Sequence, residues 1–226
     1  MNRPPHLNQP GGRFRAAIHP NIAGRERELR AMADAVRRLV RITTNNTGDA
    51  AWTAEAAARI AAIADALEPA LPAAPPPRYG GMRAPEEPHD IFPYDVMLGL
   101  YNPLALPIEM EWVPPRAIGR ATFDTPYEGP PGCVHGAVLA AAFDQVINIA
   151  NIHSGTAGPT RTLALEYKKP TPLGAPLEFE AWVETVDGRK VSSRALVRHA
   201  GEVTVEASGL FILVSSERVM RLSDQD

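Results

Sequence analysis

The sequence predicts an α+β fold in which an antiparallel sheet packs around one apolar helix. The helix begins near Gly136 and is apolar nearly all round, so it is expected to be buried. Two segments with strand patterns precede it, and four follow it in direct succession. Because the connections among those four are too short for crossover helices, the strands must pair antiparallel. The single apolar helix is then available to cover the hydrophobic face of the sheet.

Two further helices are predicted near the N-terminus. Residues 25–42 and 52–67 carry apolar side chains at helical spacing: Leu29, Met32, Val36 and Leu39 in the first, Ile60, Ile63 and Leu67 in the second. The predicted segments are a flexible N-terminus (1–20), this two-helix extension (21–70), a proline-rich extended linker (71–87), the main domain (88–218) and a flexible tail (219–226). We expect the extension to pack on the main domain or on a partner subunit.

The strands are predicted from alternation and turn signals. The segments before the buried helix are 108–113 and 116–124, and those after it are 161–169, 177–186, 189–199 and 202–214. Leu163, Leu165 and Tyr167 alternate along the first of these four. Asp187-Gly188 is a tight-turn signal between two alternating runs, so the flanking strands form a hairpin.

Composition excludes several classes of function. The chain has 226 residues, of which 45% are hydrophobic and 22% charged, with a net charge of −3. That charge gives no electrostatic basis for binding nucleic acid or an anionic membrane. A lone cysteine, Cys133, excludes an intrachain disulfide framework and fits a reducing compartment. Without a signal-peptide core or a stretch of ~20 apolar residues, a cytoplasmic protein is expected.

The stretch Gly132-Cys133-Val134-His135-Gly136-Ala137 brings small residues to the first turn of the predicted helix. The free N–H groups of that turn and the helix dipole favour negative charge there. Nine residues after His135, Asp144 places one carboxylate on the same helix. A helix start that stabilises an oxyanion, together with a lone carboxylate, predicts hydrolysis of an acyl compound.

Helix geometry adds a requirement for two subunits. From Gly136 to Asp144 the helix rises about 12 Å, so one carbonyl cannot easily reach both groups of one helix. Two antiparallel copies related by a two-fold axis would let each lend its helix start to the other's carboxylate. We therefore expect a homodimer, or a dimer of dimers, with composite sites.

Several motifs in order carry a family resemblance. Residues 127–136, Tyr-Glu-Gly-Pro-Pro-Gly-Cys-Val-His-Gly, with Asp144 downstream, resemble the hotdog-fold acyl-CoA thioesterases of the phenylacetate-pathway (PaaI-like) type. Further matches are Thr160, Leu-Ala-Leu-Glu-Tyr-Lys-Lys-Pro at 163–170, Thr-Pro-Leu-Gly at 171–174, Gly-Arg-Lys at 188–190 and Glu-Ala-Ser-Gly-Leu-Phe at 206–211. The resemblance covers residues 88–218. It implies the hotdog fold and hydrolysis of an acyl-CoA thioester to a free acid and CoA.

The resemblance also implies roles for individual residues. The thioester oxygen would lie at the backbone N–H of Gly136, with Ala137 as a second candidate donor. Asp144 would act as a general base on water or as a nucleophile that forms an anhydride. Thr160 would place a hydroxyl near that carboxylate, and His135 would brace the turn. No metal or redox cofactor is needed, because the CoA thioester is the substrate.

One departure and two weaker candidates concern the same site. The family usually has two glycines after the histidine, and the methyl group of Ala137 is expected to narrow the path of the acyl group or thioester. Asn148, one turn after Asp144, is either a hydrogen-bond partner of that carboxylate or an ordinary polar residue. His153 is expected to cap the end of the helix.

Four basic residues are candidates for contacts with the phosphates of coenzyme A: Lys168, Lys169, Arg189 and Lys190. No spacing of His, Cys and Asp predicts zinc, and no nucleophile-elbow serine is present. Two alternatives stay open: a non-catalytic hotdog domain that binds acyl-CoA or mediates dimerisation, and a hydratase of the same fold. The hydratase needs a histidine beside Asp144, for which His153 is the candidate.

Overall fold

A computed structural model describes residues 22–73 and 93–214. The predicted flexible ends at 1–20 and 219–226 lie outside these ranges, as does most of the predicted linker at 71–87. The helices are α1 (Glu26–Thr44), α2 (Ala50–Leu67) and α3 (Gly136–His153). The strands are β1 (Ile108–Val113), β2 (Arg116–Thr122), β3 (Thr160–Tyr167), β4 (Pro176–Asp187), β5 (Lys190–His199) and β6 (Glu202–Ile212).

All six strands form one sheet in the order β1-β2-β4-β5-β6-β3, with every neighbouring pair antiparallel. The sheet wraps around α3, so the α+β prediction is confirmed. The hairpin expected at Asp187-Gly188 joins β4 to β5, and Gly188 has a positive φ of 55°. Glycine adopts that backbone conformation without steric cost.

The order of the strands in the sheet differs from their order along the chain at β3. Although β3 and β4 are consecutive, they are not neighbours, because β3 pairs with β6 and β4 lies between β2 and β5. In β3, Leu163 and Leu165 are partly buried and pack against the core. As a result β3 is an edge strand, and its outer side has no strand partner in the described part of the chain.

The core fixes the rotation of α3 about its axis. Phe143 is fully buried and its ring meets that of Phe179 edge to face at 5.4 Å. Burying a side chain of this size stabilises the fold by about 1.5–3 kcal/mol. Because Phe143 points into the core, the next residue, Asp144, lies at the edge of the buried face of α3 and is partly exposed. Among the residues of α3 that stay at least partly uncovered, one stripe runs along the helix: Ala137, Ala141, Asp144, Asn148 and Ile152.

The two N-terminal helices differ in how they are placed. Helix α1 buries Ala33 and contacts the chain ahead of β1 through Arg37. Helix α2 has no buried residue, and Trp52, Ile60, Ile63 and Leu67 are each at least 39% exposed. The extension therefore packs on the main domain through α1. None of the described helices combines the length and apolar character needed to cross a membrane.

Candidate active site

The first turn of α3 leaves one backbone donor unused. The N–H groups of Val138 and Leu139 both donate to the carbonyl of His135, at 3.0 and 3.1 Å. The N–H of Ala137 donates to His135 Nδ1 at 3.0 Å, which makes His135 the N-cap of the helix. The N–H of Gly136 has no acceptor among the residues that the structure describes. Of the two candidate oxyanion donors, Gly136 is therefore open and Ala137 is already occupied.

Tyr167, at the end of β3, lies directly against Gly136. Its hydroxyl donates to the carbonyl oxygen of Gly136 at 2.8 Å. A Cβ added at Gly136 would lie 3.2 Å from that hydroxyl oxygen and 3.3–3.4 Å from two ring carbons. Sequence reasoning did not select Tyr167 as a site residue, although it placed Tyr167 in alternation with Leu163 and Leu165.

A network of short-range hydrogen bonds fixes the loop that leads into α3. The His135 N–H donates to the carbonyl of Tyr127 at 2.9 Å, and the Gly132 N–H donates to the Glu128 carboxylate at 2.7 Å. Gly129 lies so close to His135 that an added Cβ would be 2.7 Å from the His135 Cα. Cys133 is partly exposed in this loop.

The candidate acid lies further along the same helix. Thr160, the first residue of β3, donates from Oγ1 to Asp144 Oδ1 at 2.7 Å. The other carboxylate oxygen accepts no hydrogen bond from the described residues, and Asp144 itself is partly exposed. Asn148 makes no hydrogen bond to Asp144 within the described ranges. The structure thus places a hydroxyl on one carboxylate oxygen and leaves the other open.

These groups form two separate halves in one chain. We call Gly136 with His135 and Tyr167 the amide half, and Asp144 with Thr160 the acid half. Gly136 and Asp144 are about 12 Å apart along the helix axis. Thr160 and Tyr167 are at opposite ends of β3, a span of about 23 Å for seven residues of extended chain. One chain therefore does not assemble both halves around one carbonyl.

Comparison with known proteins places this architecture in a family. Residues 131–206 match the family model described as Thioesterase superfamily. A solved structure, protein RHA08564, a thioesterase superfamily protein, is 34% identical and superposes with a TM-score of 0.70. The match covers 81% of this chain and 94% of that protein. The chain belongs to the thioesterase superfamily. Its hotdog fold, expected from the sequence motifs, is confirmed.

The coverage of that match also concerns the N-terminal helices. The match covers 81% of the chain, and all residues other than 22–73 together make up less than that share. The match with this superfamily member must therefore include part of residues 22–73, which contain α1 and α2.

Curated relatives match over a shorter region. The acyl-coenzyme A thioesterase THEM4 of Xenopus laevis is 34% identical over 90 residues, which are 38% of this chain and 40% of that protein. The protein of the same name in Mus musculus is 32% identical over 93 residues, 40% of each chain. The chain thus spans about 40% of the length of these curated relatives.

The four basic candidates lie in two groups at opposite ends of this thioesterase-superfamily sheet. Lys168 and Lys169 follow β3 and pair with Glu206 at 2.7 Å and Glu202 at 2.8 Å. Hydrogen bonding to Glu206 raises the pKa of Lys168, and hydrogen bonding to Lys169 lowers that of Glu202. Arg189 and Lys190 lie at the β4–β5 turn, where Arg189 Nε donates to the Leu213 carbonyl at 3.2 Å. One chain therefore does not bring the four together.

His153 has a different environment from the one expected. Its ring stacks on that of Trp112, with centroids 5.0 Å apart, and its Nε2 is buried without a hydrogen-bond partner among the described residues. Burial lowers the pKa of His153 from its usual value of 6.5. Asp144 has no hydrogen bond or ion pair with any histidine within 22–73 and 93–214. In the same ranges, no three His, Cys, Asp or Glu side chains form a group that could hold a metal ion.

Proposed function

We propose that this chain is an acyl-CoA thioesterase that works as a homodimer with composite sites. The observation that carries the proposal is the arrangement around β3. The open N–H of Gly136 lies at one end of this edge strand, and the Asp144 carboxylate held by Thr160 lies at the other. The curated relatives named acyl-coenzyme A thioesterase support the substrate class.

Edge pairing of β3 gives the dimer a definite geometry. An edge strand presents unpaired N–H and C=O groups that another strand can satisfy. Antiparallel pairing of two β3 strands about a two-fold axis near their middle, between Leu163 and Ala164, would set Thr160 opposite the partner's Tyr167. Each acid half would then lie beside the partner's amide half, and both composite sites would be equivalent by symmetry.

The partly uncovered stripe of α3 supports the same arrangement. It carries Asp144, and the two stripe residues that precede it, Ala137 and Ala141, have small side chains. Small side chains allow close approach of a second helix or of a ligand, while the opposite face of α3, which includes Phe143, Val146 and Ile147, is buried under the sheet. The dimer would cover this stripe and leave a channel for the acyl group along it.

The reaction follows from the two halves. Asp144 accepts a proton from a water molecule as the water oxygen attacks the thioester carbonyl carbon. The negative charge that develops on the carbonyl oxygen is stabilised by the partner's Gly136 N–H. When the tetrahedral intermediate collapses, the C–S bond breaks, and the CoA thiolate leaves and takes up a proton. Thr160 holds one carboxylate oxygen of Asp144, so that the free oxygen faces the water.

A direct attack by Asp144 is the second route. The carboxylate oxygen would bond to the carbonyl carbon, CoA would leave as the thiolate, and water would then hydrolyse the resulting anhydride. An ¹⁸O label in the Asp144 carboxyl after a single turnover in H₂¹⁸O would establish the anhydride route. Attack of water on the aspartyl carbonyl would place ¹⁸O in the Asp144 carboxyl, whereas direct attack of water on the thioester labels only the released acid.

The same dimer would gather the basic residues. With the two β3 strands antiparallel, Lys168 and Lys169 of one subunit would lie at the end where the partner's Arg189 and Lys190 lie. Four cations would then surround each composite site, where the CoA phosphates would carry negative charge.

The catalytic domain in this proposal is residues 88–218.

A panel of acyl-CoA substrates with detection of the free thiol tests the proposal. We expect hydrolysis by the parent protein, and a fall in kcat of about 10²- to 10⁴-fold for Asp144→Asn, because the proton acceptor is lost. Asp65→Asn, which changes an exposed carboxylate on α2, is the matched control and should retain activity. Binding of acyl-CoA without turnover, or equal rates for Asp144→Asn and the parent, would favour the non-catalytic alternative.

A further inference from the structure

Helix α1 is fixed firmly on the chain that precedes the sheet. Arg37 Nη2 donates to the carbonyl of Asn102 at 2.6 Å and to those of Gly99 and Leu100 at 3.3 Å. The other guanidinium nitrogen pairs with Asp34 at 2.6 Å. A guanidinium that donates in several fixed directions holds a helix in a single orientation.

The C-terminal end of α1 reaches the loop that leads to the amide half. Asn45, the residue that follows the helix, donates from Nδ2 to Thr125 Oγ1 at 2.5 Å. One turn earlier, Arg41 lies 3.9 Å from the Asp124 carboxylate. Asp124 in turn caps the short 3₁₀ turn Thr125–Tyr127 by accepting from the Thr125 N–H at 2.8 Å. The helix thus contacts this turn at its first residues.

The same short turn holds the residue next to Gly136. The carbonyl of Tyr127 accepts the His135 N–H at 2.9 Å. The Tyr127 ring packs edge to face on Phe123, with centroids 5.4 Å apart, and burial raises its pKa. Since Phe123 is fully buried, its contact with the Tyr127 ring anchors the turn on the core, between the contact with α1 and the contact with His135.

We propose that α1 is a positioning element of the active site, with Asn45 and Arg41 as positioning residues. Through Thr125 and Asp124 they hold the Thr125–Tyr127 turn, and the turn holds the peptide group that precedes the Gly136 N–H. This inference rests on the proposed function for its catalytic consequence. It assigns a role to the N-terminal extension, part of which also falls within the match to the thioesterase superfamily protein of known structure.

The size of the effect follows from the exposure of these contacts. The hydrogen bond from Asn45 to Thr125 is exposed, so its loss is expected to cost little stability. A net hydrogen-bond contribution of this kind corresponds to about a 2- to 10-fold change in an equilibrium or a rate. Because the donor at Gly136 acts on charge that develops in the transition state, the loss should appear in kcat and leave KM nearly unchanged.

The test compares Thr125→Val, which keeps the shape of the side chain but removes the hydroxyl, with Thr125→Ser, which keeps the hydroxyl. Asn45→Ala removes the other partner of the same hydrogen bond. Arg38→Ala is the control on α1, since Arg38 is exposed and makes no ion pair with the described residues. Each variant is measured by steady-state kinetics with an acyl-CoA and by hydrogen exchange of peptides that span residues 125–137.

We expect Thr125→Val and Asn45→Ala each to lower kcat about 2- to 10-fold and to accelerate exchange at the His135 amide by a similar factor. The effects of the two single variants should not multiply fully in the double variant, because both remove the hydrogen bond between Asn45 and Thr125. Each also removes one bond of its own, from Asn45 to the Arg41 carbonyl or from Thr125 to the Asp124 carboxylate. Thr125→Ser should restore the parent values, and Arg38→Ala should match the parent.

Hydrogen exchange keeps this inference separate from the proposed function. Unchanged exchange over 125–137 in both single variants would overturn the positioning role, whether or not the protein turns over acyl-CoA. Faster exchange with an unchanged kcat in an active parent would also overturn it. Faster exchange in a parent that hydrolyses no acyl-CoA would support the bracing of the loop by α1 and overturn the proposed function instead.

Discussion

The hydroxyl of Tyr167 donates a 2.8 Å hydrogen bond to the carbonyl oxygen of Gly136, across 31 positions of sequence. The N–H of the same peptide group belongs to Ala137 and donates to His135 Nδ1 at 3.0 Å. Side chains therefore hold both polar atoms of this peptide group, which limits its rotation. The adjacent N–H of Gly136 has no acceptor in the described part of the chain.

Tyr167→Phe removes the hydroxyl and keeps the ring that lies over Gly136. We expect kcat for acyl-CoA hydrolysis to fall about 3- to 10-fold, because the peptide group loses one of its two side-chain hydrogen bonds. KM should change little, since the ring still fills its position. Steady-state kinetics on the parent and the variant check this, and a thermal melt controls for a loss of folding.

The companion variant Tyr167→Leu also removes the ring. If the hydroxyl alone orients the donor, Phe and Leu should give similar values of kcat. A parent-like kcat for Tyr167→Phe would show that His135 holds the peptide group without help from β3.

Two substitutions of Gly136 separate the effect of losing the backbone N–H from the effect of adding a side chain against Tyr167. Proline at this first helical position is compatible with helix geometry and removes the N–H. His135, with φ −62° and ψ 133°, already has the extended conformation that a following proline requires. Alanine adds a Cβ against Tyr167 but keeps the N–H.

We expect Gly136→Pro to lower kcat about 10²- to 10³-fold relative to Gly136→Ala, the usual effect of losing one oxyanion donor. Gly136→Ala itself should lose only a few-fold, because Tyr167 must move by a few tenths of an ångström. Circular dichroism checks that both variants retain the fold. Equal values of kcat for the two variants would show that the Gly136 N–H does not stabilise the oxyanion.

Local patterns in the sequence accounted for most elements of the fold. The apolar run after Gly136 predicted the buried helix, and Asp187-Gly188 predicted the β4–β5 hairpin. These signals depend on neighbouring residues, through backbone preference and side-chain periodicity. The pairing of β3 with β6 could not be predicted in this way. It depends on the edge of the sheet at which Leu163 and Leu165 can pack against the core, and that is set by distant residues.

The same distinction applies to the site. Gly136, His135, Asp144 and Thr160 lie in motifs that a single sequence can reveal, and the structure brings Thr160 to Asp144. The contacts of Tyr167 with Gly136 and of Asn45 with Thr125 join residues 31 and 80 positions apart. Neither pair has a local signature, so only the folded chain reveals them.

Composite sites can be tested by mixing two inactive chains. In the proposed dimer, Gly136→Pro lacks the amide half at both sites, and Asp144→Asn lacks the acid half at both. A dimer with one chain of each kind would have one intact site and one site that lacks both groups. We expect such a mixed dimer, isolated with two different affinity tags, to recover about half of the parent activity per dimer.

Each variant dimer alone, carried through the same purification, is the control and should remain inactive. If both halves acted within one chain, every site in the mixed dimer would be defective. Activity no higher than that of the two controls would therefore contradict the composite site.

The buried imidazole of His153 is expected to make stability depend on pH. Burial lowers the pKa of His153 below its usual value of 6.5, so the unfolded chain binds this proton more readily than the folded chain does. The contribution of the neutral imidazole to stability is therefore complete above about pH 6.5 and is lost as the pH falls toward the folded-state pKa. His153→Phe keeps a ring that can stack on Trp112 and removes the titration.

Urea unfolding at pH 8 and at pH 5.5 checks the prediction: the free energy of unfolding of the parent should fall more steeply with acidification than that of the variant. A constant difference between the two proteins at both pH values would show that His153 does not titrate differently in the folded and unfolded states.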